Sequence, residues 1–496
     1  MSDLLMEMKE NKLSILDGWI VRSAILIGLI IRIHEAIIEE IEPDEFHQWS
    51  VAISPSLTDL FYRVSLKYTP HPSASFLTMW CTVKVFGDSS FSMRIPGIIF
   101  GMLTIYFCGA LARDFFGQKA GKHAIIMSSL FSSFIQTSIQ ARMYSMLVFL
   151  SVLLIYLINI NFKNEKNQHI IWKLCLLFVA IILSHTHYFG TMLAFGSIGL
   201  ISIISYKNNK SQKISLWIPF GLILAYLPQI KNTFTHLTQS GEGTNYIQEY
   251  ITWELPLIVL SRQLNGSIII AILSLLLIIT ILISNWKGFT PSKKKGWIYL
   301  GCWWGGSFFV AVTISILGPA IASPANLVII LPATIIAISA CTSSFFENYL
   351  SKYNENIFLA CIFSLILFHL LFFHNILDKS SPETETAFKE AGENTKGESV
   401  VLVTNSHALL LSDESGECRL CNEIKGQLID SIYLAPEEKW EEKVDERLTA
   451  GTSILVIELE EWVNEYSEQE NSELDSFGEI TWEGEFLKIN ARLIIL

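Results

Sequence analysis

The chain has 496 residues, of which 51% are hydrophobic and only 17% are charged, and its mean hydropathy is +0.42. These values exclude a set of soluble globular domains, a disordered chain, a collagen and a coiled coil, and they predict a polytopic membrane protein. The net charge of −12, with no basic cluster outside short loops, also excludes a dedicated nucleic-acid binder, so nucleic acid is not an expected partner.

Apolar runs of roughly 17–25 residues, each long enough to cross about 30 Å of hydrocarbon, predict about eleven transmembrane helices. The first run spans a full helix length and lacks the small-residue cleavage site of a signal peptide. The predicted spans lie near residues 19–38, 92–112, 123–137, 143–162, 170–187, 188–205, 214–231, 266–286, 297–318, 325–343 and 357–376.

Basic residues in alternate loops predict the orientation. Arg113, Lys163, Lys207 and Lys293 mark one set of loops, whereas the opposite loops, including the long loop 39–91, are acidic or neutral. The positive-inside rule therefore predicts a cytoplasmic N-terminus. Loop 39–91 and the tail are then expected on the periplasmic or extracellular side of the cell (inner) membrane.

The tail differs sharply in charge from the rest of the chain. Residues 379–496 contain 27 acidic and 10 basic residues. This shift predicts a membrane domain at 1–378 and a small outward-facing α/β domain at 379–496. Residues 399–404 and 452–458 resemble buried strands, and residues 436–449 resemble a helix. Its pair Cys418 and Cys421 favours a local disulfide or two free thiols over a zinc site, which needs four ligands.

The first outward loop carries the most informative residues. Asp44 and Glu45 follow the first span directly, and they either line a polar site or are solvated loop carboxylates. The apolar stretch 73–87 is too short to span and contains Lys84, so an interfacial helix is expected there. Such a loop would cover a cavity at the outer face of the membrane.

Two further clusters lie at predicted span ends. Arg142 and Tyr144 open the fourth span, where they are either interfacial anchors or a phosphate-binding group, since a guanidinium grips phosphate with two parallel hydrogen bonds. His185 and His187 lie between two apolar runs and are either hydrogen-bonded core residues or metal ligands. A divalent metal is left open, and no other cofactor is predicted.

The order and spacing of these motifs resemble the GT-C membrane glycosyltransferases of the polyprenyl-phosphate-mannose–protein mannosyltransferase type, together with their Rgt-like bacterial relatives. The resemblance covers residues 15–206 well and the later helices by topology only. The motifs that carry it are Asp44-Glu45, His71-Pro72, the string from Phe86 to Pro96 with Arg94, Phe116-Gly117, Ala141-Arg142-Met143-Tyr144 and His187-Tyr188.

The resemblance implies a GT-C fold and the transfer of a sugar from a polyprenyl-phosphate donor to an acceptor hydroxyl, with inversion. It makes Asp44 the general base and gives Glu45 the role of orienting the acceptor or tuning Asp44. The substrate-binding residues that it implies are His71, Arg94, Arg142, Tyr144 and His187. The acceptor is a lipid, a glycan or a protein, and membrane lipids are further partners.

The sequence departs from the family pattern in several places. Ser73 stands where the relatives have a second proline, and Gln140 stands where they often have Glu. Near Pro324 the arginine that helps to hold the donor phosphate is missing. Either another cation replaces it, with Arg142, Lys67 and Arg262 as the candidates, or the enzyme uses an unusual donor.

The alternative function is that of a polytopic transporter or lipid flippase without transferase activity. Such proteins place charges near the membrane midplane and often have two similar halves. Here the acidic residues are concentrated at one side, and no internal repeat is visible.

Overall fold

The computed structural model describes residues 14–65, 71–163, 170–208, 217–239, 251–318, 320–373 and 384–394, and the strand segments 399–404, 427–433, 452–459, 479–486 and 489–495. The chain divides into two compact units. The helical unit comprises Met1–Glu35, Phe61–Thr78 and Arg94–Leu377, and the sheet unit comprises Ala36–Leu60, Met79–Met93 and Asp378–Leu496. Two parts of the first outward loop thus group with the tail, and the boundary at residues 378/379 stays a prediction.

The described residues form eighteen α-helices. They are α1 (Trp19–Ile38), α2 (Pro43–Ala52), α3 (Leu57–Ser65), α4 (Ala74–Phe86), α5 (Ser90–Phe116), α6 (Gln118–Leu130), α7 (Ser132–Ile139), α8 (Tyr144–Lys163), α9 (Ile170–Ser184), α10 (Tyr188–Asn208), α11 (Trp217–Tyr226), α12 (Ile230–Gln239), α13 (Leu255–Gln263), α14 (Ile268–Asn285), α15 (Pro291–Leu317), α16 (Leu331–Tyr349), α17 (Glu355–Phe373) and α18 (Thr384–Asn394).

Burial differs strongly between the helices of the helical unit. Helices α8 and α16 are almost wholly buried, whereas α14 and α17 are mostly exposed although their sequences are almost entirely apolar. Ile283 and Leu365, for example, are 79% and 70% exposed. A helix that is apolar on every side and exposed requires a lipid surround.

Six helical segments among the described residues are long and apolar enough to cross a membrane, which confirms a membrane protein. They are Ser90–Phe116, Tyr144–Asn161, Ile268–Gly288, Pro291–Leu317, Asn326–Tyr349 and Glu355–Phe372. The other predicted spans also lie mainly on helices, but the spans at 123–137 and 214–231 are each divided between two α-helices. The total of eleven stays a prediction.

The third predicted span, 123–137, is two helices instead of one. Helix α6 ends at Leu130, Phe131 is extended with φ −69° and ψ 132°, and α7 begins at Ser132. Hydropathy does not register this break, because the residues on both sides of it are apolar or small.

A five-stranded sheet dominates the tail part of the sheet unit. Its strands are β1 (Ser399–Thr404), β2 (Gln427–Tyr433), β3 (Thr452–Leu459), β4 (Glu479–Phe486) and β5 (Ile489–Ile495), in the order β2-β1-β3-β5-β4. Strand β1 pairs in parallel with β2 and β3, and β5 pairs antiparallel with β3 and β4. The strands predicted at 399–404 and 452–458 are β1 and β3. The helix predicted at 436–449 lies outside the described residues.

Candidate active site

The turn between α9 and α10 brings three predicted site residues of the helical unit together. The imidazole rings of His71 and His187 stack with their centroids 5.2 Å apart and an interplanar angle of 28°. The ring of Tyr144 lies 6.3 Å from that of His187. His71 lies three residues before α4, Tyr144 begins α8 and His187 ends the turn 185–187, so the fold joins positions that are far apart in sequence.

Backbone and hydroxyl hydrogen bonds hold this turn. The backbone N–H of Ala74 donates to the carbonyl of His185 at 2.8 Å, which ties the start of α4 to the turn. The hydroxyl of Thr191, in the first turn of α10, donates to the carbonyl of Ser184 at 2.8 Å. The turn is therefore fixed from both of its neighbours.

His187 is a neutral hydrogen-bond donor. It is buried in the turn outside α9 and α10, and its Nδ1 accepts the backbone N–H of Phe189 at 3.2 Å. Burial, reinforced by the neighbouring guanidinium of Arg142, lowers the pKa of His187 from 6.5 to about 3. A neutral ring whose Nδ1 is an acceptor carries its proton on Nε2, which is left to donate.

Arg142 lies in the short connection between α7 and α8. Its guanidinium carbon is 4.9 Å from the ring centroid of Tyr144, a cation–π distance. Ala141 and Met143 on either side are buried, whereas Arg142 itself is half-buried. The connection is thus anchored by its neighbours and presents one planar cation beside the His71–His187 pair.

Arg32, which the sequence analysis did not single out, holds the break between α6 and α7. It is fully buried, and its guanidinium donates to the carbonyls of Ser128 at 3.2 Å, Ser129 at 2.8 Å and Gly28 at 2.9 Å, and to the hydroxyl of Ser138 at 3.2 Å. The carbonyls of Ser128 and Ser129 belong to the last turn of α6, where intrahelical partners are lacking. Arg32 therefore caps α6 and grips α7 at once; these contacts are called the Arg32 clamp below.

Glycines on α1 and α5 allow the helices around the Arg32 clamp to approach closely. A Cβ atom at Gly28 would lie 2.5 Å from the carbonyl oxygen of Ser129, and one at Gly97 or Gly101 would overlap with Ser138. Ser138 lies four residues before Arg142, so the clamp sets the start of the Arg142 connection. Two sequence signals could have found it: a charged residue inside an apolar run and small residues four positions apart.

The two predicted carboxylates lie in the sheet unit. Asp44 is the second residue of α2, after Pro43. Glu45 is fully buried, and its Oε2 accepts the backbone N–H of Glu42 at 2.9 Å, which caps the start of α2. Glu45 therefore has a structural contact that the sequence analysis did not assign to it, and the roles of both carboxylates in catalysis stay predictions.

The remaining candidates are placed as follows. Arg94 is buried in α5, three residues before Gly97. Arg262 is exposed near the end of α13, and Lys67 lies outside the described residues. Within the described parts of the chain, no group of three or more His, Cys, Asp or Glu residues is arranged to hold a metal ion. Cys418 and Cys421 also fall outside the described ranges.

An apolar groove begins beside the His187 turn. It has a volume of about 520 Å³ and runs between α8, α10 and α15. Its walls include Phe189 and Met192 at the start of α10, and Trp303 and Phe309 on α15. The mostly apolar lining of the groove suits a flexible hydrocarbon chain.

Comparison with known proteins shows similarity to one family over part of the chain. Residues 70–229 match the family profile of dolichyl-phosphate-mannose-protein mannosyltransferase. No curated protein sequence matches the chain. Two solved structures of ArnT from Cupriavidus metallidurans, in the apo state and bound to undecaprenyl phosphate, have 10% sequence identity, cover 95% of this chain and 97% of theirs, and give TM-scores of 0.57 and 0.54.

The apo oligosaccharyltransferase of Archaeoglobus fulgidus is similar over 90% of this chain and 70% of its own length, with 11% identity and a TM-score of 0.50. At these identities the structural likeness shows the fold. The chain therefore has the GT-C fold of the membrane glycosyltransferases, as the sequence resemblance implied, and over residues 70–229 it is similar to the dolichyl-phosphate-mannose-protein mannosyltransferase family.

Proposed function

We propose that the protein is an integral membrane glycosyltransferase that moves a sugar from a polyprenyl-phosphate donor to an acceptor hydroxyl at the outer face of the membrane. The observation that carries this proposal is the cluster of His71, Arg142, Tyr144 and His187, which lies wholly inside the residues that match the mannosyltransferase family.

The cluster has the chemistry that a phosphate-linked donor needs. The Arg142 guanidinium offers two parallel donors to a phosphate, and the neutral His187 adds an Nε2–H donor without competing as a base. The apolar groove beside the turn would take the prenyl chain. Undecaprenyl phosphate is bound in one ArnT structure, and this chain is expected to accept a ligand of the same kind.

The proposed reaction is a single displacement. The acceptor oxygen bonds to the anomeric carbon as the bond from that carbon to the phosphate oxygen breaks, and the acceptor proton passes to the carboxylate of Asp44. The electron pair of the broken bond leaves with the polyprenyl phosphate, whose charge Arg142 stabilises. One displacement inverts the anomeric centre. The acceptor is a lipid, a glycan or a protein.

The test is transfer in lipid vesicles that contain the purified protein and a labelled polyprenyl-phosphate sugar. We expect the labelled donor to be consumed by the wild type, and consumption to fall by roughly 10²–10⁴ in Asp44→Asn, which cannot accept a proton. Asp59→Asn is the matched control, because Asp59 is a half-buried carboxylate of the same outward loop whose side chain accepts a hydrogen bond from the nearby Ser56. Donor that crosses the membrane unchanged, with no sugar released from phosphate, would instead support a flippase.

A further inference from the structure

The acidic tail and the loop that carries Asp44 belong to one compact unit. Residues Ala36–Leu60 and Met79–Met93 group with Asp378–Leu496, although several hundred residues of the chain separate them from the tail. A tail that served only as a separate binding module would have no need to share a unit with this loop.

One direct link between them, among the described residues, is Glu40. Its carboxylate accepts two hydrogen bonds from Thr386 in the first turn of α18: one from the backbone N–H at 3.3 Å to Oε2, and one from the hydroxyl to Oε1. The first N–H groups of a helix have no intrahelical partner, and a carboxylate there is further favoured by the helix dipole. Glu40 thus caps a helix of the tail from a position four residues before Asp44.

Helix α18 is in turn attached to the sheet of the tail. It packs against β4 and β5, and its residues Ala387, Phe388 and Ala391 are completely buried. These positions lie on one face of the helix, so the sheet fixes the orientation of α18 and thereby of Thr386. The capping bond transmits that orientation to Glu40.

The segment after Glu40 is short and well held. Ile41 is fully buried, and the N–H of Glu42 is engaged by the carboxylate of Glu45 at the start of α2. Farther along α2, the indole N–H of Trp49 donates to the carbonyl of Asp88 at 3.3 Å. The backbone between the Glu40 contact and residue 44 therefore has little conformational freedom.

We propose that the tail is a positioning element for the candidate base: Glu40, by capping α18 through Thr386, fixes the start of α2 and with it the backbone of Asp44. This inference rests on the proposed function, since it assigns Glu40 and Thr386 the task of placing the group that takes the acceptor proton. They are positioning residues, which act through α2.

The test combines amide hydrogen exchange and kinetics on the full-length protein. A hydrogen bond to a charged acceptor contributes about 1.5–3 kcal/mol, so its loss should speed the exchange of the amides of residues 44–52. We expect exchange to be roughly tenfold faster in Thr386→Val, and up to about a hundredfold faster in Glu40→Ala, which removes both bonds. The kcat should fall by similar factors while the KM for the donor stays unchanged.

Two variants are controls for these substitutions. Thr386→Ser keeps the hydroxyl donor and should behave as the wild type. Glu393→Gln removes a negative charge at an exposed position of α18 and should leave both the exchange rates and kcat unchanged. If Glu40→Ala does not yield folded protein, the comparison of Thr386→Val with Thr386→Ser decides.

Exchange at residues 44–52 that is the same in Thr386→Val, Thr386→Ser and the wild type would overturn the inference, as would faster exchange without any change in kcat. The exchange measurement needs no activity. If the wild type transfers no sugar, the proposed function fails while the exchange result still shows whether Glu40 orders the loop.

Discussion

The Arg32 clamp predicts the effect of adding a single methyl group at Gly28. The Cβ of Gly28→Ala would lie 2.5 Å from the carbonyl oxygen of Ser129 and 3.0 Å from Nη1 of Arg32. Ordinary contact begins near 3.4 Å, so α1 and α6 must separate by about 0.9 Å, or the guanidinium must leave that carbonyl. Overpacking of this kind costs about 1–3 kcal/mol.

The functional consequence follows from the position of Ser138, which the same guanidinium grips four residues before Arg142. A misplacement of about 1 Å at a reacting group costs up to roughly 10²-fold in rate. The chain between Ser129 and Arg142 takes up part of the shift caused by the added methyl group, so Arg142 moves by less than the full distance of about 0.9 Å. We therefore expect kcat/KM to fall about tenfold in Gly28→Ala.

The matched control is Gly199→Ala, in α10, where a Cβ would have no atom within 4 Å. It should keep the wild-type rate and gain up to about 1 kcal/mol from the better helix propensity of alanine. Thermal unfolding in detergent and donor consumption in vesicles measure the two effects. If Gly28→Ala unfolds and transfers as Gly199→Ala does, the clamp neither limits packing nor sets the Arg142 connection.

Three shorter predictions concern the site itself. Arg142→Lys should raise the KM for the lipid-linked donor by about tenfold, because an ammonium cannot form the two parallel hydrogen bonds of a planar guanidinium. Arg22→Lys, at an exposed position, should leave this KM unchanged. Equal KM values in the two variants would make Arg142 an interfacial anchor. Glu45→Gln, which keeps an acceptor oxygen for the cap of α2, should destabilise the protein less than Glu45→Ala, by about 1 kcal/mol in thermal unfolding; the reverse order would refute the cap. The pKa of His187 is lowered to about 3 in the folded protein, so its neutral ring stabilises the fold above pH 6.5, and this contribution is lost as the pH falls towards 3. The melting temperature of His187→Gln should therefore drop less than that of the wild type between pH 7 and pH 4. An equal drop would contradict the burial argument.

The sequence predicted the helices well where apolar runs were long and uninterrupted. Hydropathy alone finds α5, α8 and α14, because nothing but lipid or protein interior suits such segments. It did not find the break at Phe131, since a break between apolar helices leaves composition unchanged. The break depends on a distant guanidinium, Arg32, that satisfies the carbonyls at the end of α6.

Only part of the candidate site was predicted, and that part came from the family resemblance and not from hydropathy. No local pattern indicates that His71 stacks on His187, because the two are separated by more than a hundred residues; the family resemblance supplied that grouping. The contact of Glu45 with Glu42 is a local capping pattern with Glu at the third helical position, and it was visible in the sequence. The bond between Glu40 and Thr386 joins two polar residues that no sequence rule pairs.

The distribution of partners around Arg32 has a consequence for biosynthesis. Three of its four acceptors, Ser128, Ser129 and Ser138, are synthesised about a hundred residues after α1. An arginine inside a lone membrane helix, such as Arg32 at the fourteenth of the twenty residues of α1, costs up to about 2.5–3.5 kcal/mol at the translocon. Helix α1 is therefore expected to stay beside the insertion machinery until α6 and α7 emerge. The three helices would then enter the bilayer together.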